Sequence, residues 1–494
     1  MNSFYDFERE AWSTIEFTLE GPAGETVELA VGECLTGNRL NREPGGSRIF
    51  QSNTVTLSGG TDHFRFVPKP GGIQKIAMKS PFPYEIIPFR YAEVNGNCRV
   101  IEVKRTPVFP ECFDDDAAHF ESDNDDLNRI WEMCKYTMKA TAPFGVFIDG
   151  ERERLPYEGD TYINQLGWFC CCTDPAIPRR SLEFLFEHHT WPFEWFLLMP
   201  QIVKDYMLYT GDTAIFRQVE TKLEECLLPE FLNEDGLLAE KENPMTCRTI
   251  VDWPHTERDG YEMGNVNLVS NCYYYAALCI MAELSGKAEY AHRAEQVKSM
   301  IRSKFLKNGV FVDSESSTHT ALHSSLFALH FGLGNAAECP GIANKGMACS
   351  VYGSQFLLDC CFNNGMAQHA MDLLLSREIR SWNNMIAKGA TITMEAWDDS
   401  FKPNQDWNHA WGAAPANIIP RRIAGIRPIA YGFKRFVFDP QPAGLKRFYL
   451  KHPTCAGTIE VMYENGVARL TVPEGTEAVF RGESYAAGEH CFSL

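Results

Sequence analysis

Two glutamates lie far apart in the chain, each in a loop-like stretch rich in charge and aromatics. Glu153 stands in "DGERERLPYEGD", residues Asp149 to Asp160, and Glu395 in "KGATITMEAWDDS", residues Lys388 to Ser400. Paired carboxylates suit cleavage of a glycosidic bond. One donates a proton to the leaving oxygen, and the other activates water or attacks the sugar itself. The neighbouring residues fit a sugar. Tyr157, Trp253, Tyr261, Trp382 and Trp397 offer faces for apolar ring surfaces, while Asp149, Arg152, Asp252 and His409 suit hydroxyls. Each also has an ordinary structural reading when taken alone. Arg152 and Glu153 would serve an ion-pair network, Glu395 a solvated loop, Asp252 a turn or N-cap, and His409 and the tryptophans a core. Their concurrence favours a site.

The elements that must position these residues follow from periodicity. Residues 1 to about 115 alternate in short runs such as "TVELAVGE" and "HFRFV", separated by Gly, Asn and Pro turns, which predicts a β-sandwich. From about 120 the period becomes helical, beginning with "DDLNRIWEMCKYTMKATA", and about a dozen helical segments follow. No fixed-length repeat is visible, which argues against a linear solenoid and for a closed ring of helical hairpins. Beyond about 430 alternation returns, with "ENG" as a hairpin signal. The expected fold is mainly α with flanking β. An N-terminal β-sandwich (1–118) precedes an (α/α)6 barrel (119–428) and a small C-terminal β-sandwich (429–494). In a closed ring the first and last hairpins are neighbours, so the loops of Glu153 and Glu395 can face one funnel.

Composition narrows the partners. A net charge of −19 over 494 residues argues against nucleic acid or an anionic membrane surface. No apolar run reaches the length of a membrane span. Seventeen cysteines include no CxxC pair, so buried thiols are expected rather than a metal site. The start, "MNSFYDFEREAW", lacks a basic-then-apolar leader. A cytoplasmic location is expected, or a periplasmic or secreted one if a leader has been removed. A homodimer is left open.

At these motifs the sequence resembles the bacterial α-L-rhamnosidases of glycoside hydrolase family 78. "DGERERLPYEGD" matches the "ERL…GD" frame of their acid-bearing segment, and "KGATITMEAW" with "NHAWG" reproduces their base-bearing pair. The resemblance implies Glu153 as general acid, Glu395 as general base, and an exo-acting, inverting enzyme that releases terminal α-L-rhamnose without metal or cofactor. It also implies sugar contacts at Asp252, Trp382 and His409. Pro156 and Tyr157 stand where glycine and tryptophan are usual. This leaves open another (α/α)6 activity, on glucosides, uronides or with phosphate, or a non-catalytic carbohydrate-binding protein.

Overall fold

The computed structural model describes residues 2–240 and 248–494. Among them the long strand Asn2–Glu20 organises the N-terminal sheet. Its first half pairs with Ile87–Asn95, and its second half with Arg99–Pro107 and Thr61–Arg65. Thr26–Gly32 and Phe50–Thr56 continue beyond Ile87–Asn95, and all five pairings are antiparallel. The alternation read from the sequence sends Ile15, Phe17, Leu29, Val31, Phe89 and Val94 to one buried core. A register shift between Asp6 and Ala11 bends the long strand.

Thirteen α-helical segments follow among the described residues. They are Asp125–Ala140 (α1), Glu158–Cys171 (α2), Ala176–Glu187 (α3), Phe193–Thr210 (α4), Ala214–Glu225 (α5), Leu268–Ser285 (α6), Ala288–Phe305 (α7), Leu322–His330 (α8), Gly341–Asn344 (α9), Val351–Asn363 (α10), Ala367–Leu374 (α11), Trp382–Ala387 (α12) and Pro415–Ile418 (α13). The caps are local chemistry. Asn124 accepts the Leu127 N–H at 3.0 Å ahead of the acidic first turn of α1, and Ser350 and Ser381 cap α10 and α12 in the same way. α2, α4, α6, α8, α10 and α13 touch in that order and α13 returns to α2, so the ring closes. These inner helices are apolar almost all round, and every residue of α2 is buried. The adjacent cysteines Cys170, Cys171, Cys360 and Cys361 are wholly buried within α2 and α10 and pack as small apolar side chains. The outer helices are amphipathic. α3 buries Ile177, Leu182 and Leu185 and leaves its charged face to solvent.

The C-terminal domain stacks a five-stranded sheet on a four-stranded one, with Phe438, Phe480 and Phe492 clustered between them. The edge strand of the larger sheet is His119–Ser122, just ahead of α1, paired to Arg447–Thr454. Ile426–Pro428 likewise joins the smaller sheet. Both stretches read from sequence as part of the barrel, but their backbone partners lie in the C-terminal domain. No helix among the described residues is long and apolar enough to cross a membrane.

Glu194, in the first turn of α4, is buried and accepts the N–H groups of Ile250 and Val251 at 2.8–3.1 Å. Burial pushes its carboxyl up to about 7, from an ordinary value of 4.5. Between these values the folded chain holds a proton that the unfolded chain releases. The group's stabilising contribution is therefore complete below the unfolded value and is lost as pH rises towards 7. Glu194→Gln keeps an acceptor and removes the titration. It is expected to flatten the decline in stability from pH 4.5 to 7 by up to about 1.4 kcal/mol per pH unit, read by urea unfolding. An unchanged slope would refute this assignment.

Candidate active site

The loop between α1 and α2 carries the first motif. At its neck the Asp149 N–H donates to the Leu155 carbonyl at 3.0 Å, and the Asp149 carboxylate accepts the Leu155 N–H at 3.0 Å. Gly150 at φ +124° lies against Asp406, where a Cβ would come within 2.7 Å of a carboxylate oxygen, so no larger residue fits. Glu153 sits at the tip and receives the hydroxyl of Tyr157. Three other charges of the motif, Glu151, Arg154 and Glu158, are structural. Glu151 pairs with buried Arg154 at 2.8 Å, and Glu158 holds the next loop through the N–H and hydroxyl of Thr190.

The second motif is held by a short backbone ladder. The Thr393 carbonyl accepts the His409 N–H at 2.9 Å and the Asp406 carbonyl accepts the Glu395 N–H at 3.0 Å. This ladder explains why "KGATITMEAW" and "NHAWG" occur together. Glu395 points into the same cleft as Glu153. Its oxygens receive only donors: both terminal nitrogens of Arg152 at 3.2 Å, Lys402 Nζ at 3.3 Å and the Asp406 N–H at 3.0 Å. Arg152 Nε also lies 3.3 Å from Glu153. One guanidinium thus bridges both glutamates, which bounds their nearest oxygens to at most about 9 Å apart, given its planar fork of donors.

The cleft measures about 750 Å³. Burial, then the charges of Glu153 and Asp160, holds the Asp149 carboxyl well above the ordinary carboxylate range. Burial, then Glu395 and Glu153, does the same to Asp160. Burial pushes the imidazole of His409 well below its usual value, and Arg152 and Lys402 add to this. Burial therefore favours the uncharged forms of Asp149, Asp160 and His409, which exchange hydrogen bonds with hydroxyls without adding charge.

Residues 115–423 match the family model described as the bacterial alpha-L-rhamnosidase 6 hairpin glycosidase domain, and residues 425–481 match the bacterial alpha-L-rhamnosidase C-terminal domain. The chain belongs to this family. Solved structures agree on the fold. A GH78 family rhamnosidase of Bacillus sp. GL1 is 18% identical with a TM-score of 0.75, the alignment covering 98% of this chain and 54% of that one. For the Streptomyces avermitilis alpha-L-rhamnosidase complexed with L-rhamnose the values are 17%, 0.77, 100% and 52%. For a Klebsiella oxytoca rhamnosidase with rhamnose bound they are 15%, 0.65, 85% and 87%. The chain thus spans little more than half the length of the first two. No curated protein sequence matches it.

Seven of the residues singled out from the sequence line the cleft: Asp149, Arg152, Glu153, Tyr157, Trp253, Glu395 and His409. Four do not, and the structure corrects their expected sugar contacts. Asp252 is wholly buried, its carboxylate taken by His323 at 2.7 Å, the Trp253 N–H at 2.8 Å, and the N–H and hydroxyl of Ser350. It fastens the loop of Trp253 to α8 and α10. Tyr261 donates to the Asp313 carbonyl behind that loop. Trp382 and Trp397 pack edge to face at 4.9 Å, with their ring N–H groups donating to the carbonyls of Gly412 and Cys349. Satisfied N–H groups let both tryptophans be core.

Several wall residues escaped the sequence reading. Asp160 closes the first motif and faces the cleft from the first turn of α2. Its place in the "GD" frame was the available signal. Trp191 and Trp195 line the wall beyond α3. Gln74 and Ile76 come from the N-terminal domain, in a stretch whose Pro and Gly residues read only as a turn.

Proposed function

We propose that the cleft hydrolyses terminal α-L-rhamnosides with inversion at the anomeric carbon. The observation that carries this reading is the pair Glu153 and Glu395, facing each other across one cleft in a chain of this family. Glu153, which must be protonated in the sugar complex, gives its proton to the glycosidic oxygen as the bond to the anomeric carbon breaks. Water attacks that carbon from the other face and passes its proton to Glu395. The neutral His409, with Asp149 and Asp160, would bind the sugar hydroxyls, and Trp253 would lie against the ring. Arg152 would hold the two carboxylates in register before the sugar enters. The bound of about 9 Å overlaps the separation of about 6.5–9.5 Å found in inverting enzymes and also admits the about 5–5.5 Å of retaining ones. The anomer released first decides between them.

A panel of 4-nitrophenyl glycosides tests the sugar. Release of nitrophenol from the α-L-rhamnoside, with none from the glucosides or glucuronide and no dependence on phosphate, is expected. Preference for another glycoside, or a requirement for phosphate, would overturn the choice of rhamnose. Tyr157 and Pro156 would then be the first residues to examine.

A further inference from the structure

Asn408 lies one residue before His409 and is 1% exposed. Its side chain joins two other parts of the molecule. Nδ2 donates to Glu33 of the N-terminal domain at 2.8 Å, and Oδ1 accepts the backbone N–H of Glu151 in the acid-bearing loop at 3.0 Å. An N–H only donates, so Oδ1 must face Glu151 and Nδ2 must face Glu33, which also accepts the Ile49 N–H. Glu33 is buried beside Glu10. Burial raises both carboxyls, and the charge of Glu33 raises that of Glu10 further.

The same domain reaches both catalytic loops elsewhere. The N–H groups of Ile73 and Met78 donate to the carbonyls of Arg152 and Arg154 at 2.9 Å. Ser47 donates to the Asn404 carbonyl at 3.0 Å, and Arg48 pairs with Asp399 at 2.7 Å. Gly71 lies so close to the acid loop that a Cβ there would collide with the Glu151 carboxylate.

We propose that Asn408, anchored by Glu33, is a positioning residue that sets the Glu153 loop against the Glu395 loop, so that the N-terminal domain is part of the catalytic geometry. Glu153 is two residues beyond the N–H that Asn408 holds. Without that acceptor a buried donor is left unpaired and the loop tip relaxes to find another partner. The kinetic consequence rests on Glu153 being the general acid.

Asn408→Ala and Glu33→Gln are compared on phenyl and 2,4-dinitrophenyl α-L-rhamnosides. Phenolate needs the acid's proton to leave, whereas dinitrophenolate does not. A loss in kcat of about 10- to 100-fold on the phenyl glycoside, with less than about 3-fold on the dinitrophenyl one, is expected. Equal losses on both, or none on the phenyl glycoside, would overturn the proposal, because general loosening of the fold does not sort substrates by leaving group. Hydrogen exchange gives a readout independent of the sugar. Faster amide exchange over residues 149–155, with the barrel helices unchanged, is expected in both variants, and unchanged exchange there overturns the clamp. Wild-type inactivity on both rhamnosides would count against the rhamnosidase reading and leave exchange to decide the clamp. If Asn408→Ala fails to fold, Glu33→Gln decides alone.

Discussion

Glu395→Gln is expected to lower kcat on α-L-rhamnosides by about 10²- to 10⁴-fold while leaving KM nearly unchanged, the range that removal of a general base produces. The substitution preserves shape but puts an amide NH2 among Arg152, Lys402 and the Asp406 N–H, all of them donors. A control separates lost chemistry from this local conflict. Glu395→Gly with added azide is expected to yield the β-rhamnosyl azide, formed by attack from the face the base once served. Glu395→Gln activity within about tenfold of wild type would remove Glu395 from the role of base.

The largest expected effect on stability lies away from the cleft. Asp359, two turns along α10 from the Ser350 cap, accepts Arg422 Nε at 2.5 Å, Arg421 Nη1 at 3.2 Å and Gln355 Nε2 at 2.8 Å. Burial alone would raise this carboxyl, but the two arginines outweigh it and hold it well below the usual range. Its contribution is therefore present above the unfolded value of 3.8 and is lost as pH falls below it. Asp359→Ala strands two buried guanidinium groups and is expected to destabilise the protein by about 3–5 kcal/mol in urea unfolding at neutral pH. A change under about 1 kcal/mol would mean that Arg421 and Arg422 find other partners at little cost.

Much of this was legible in the sequence, and the exceptions share a physical cause. The change from alternation to helical spacing near 120, and back beyond 430, marks where strands give way to helices and return, because each period reports which face is buried. "DGERERLPYEGD" and "KGATITMEAW" are readable because loops carrying chemistry hold unusual charge beside apolar runs. Hydrogen-bond partners supplied from far along the chain are not readable. Asp252 looks like a free acid until His323 and Ser350, from α8 and α10, close on it. Trp382 and Trp397 look like sugar platforms until the Gly412 and Cys349 carbonyls take their N–H groups. Asn408 opens "NHAWG", but its positioning contacts are not readable in sequence, because its partners Glu33 and Glu151 belong to another domain and another loop. The strand His119–Ser122 carries the pattern of a strand but no sign of which sheet it joins.

The most direct test of the central claim is the configuration of the sugar as it leaves. Proton NMR of wild-type protein hydrolysing an aryl α-L-rhamnoside should show β-L-rhamnose first, with the α anomer growing in by mutarotation. That order is what attack by water held at Glu395 requires, opposite the proton given by Glu153. Initial release of α-L-rhamnose would contradict it, and would make one of the two glutamates a nucleophile.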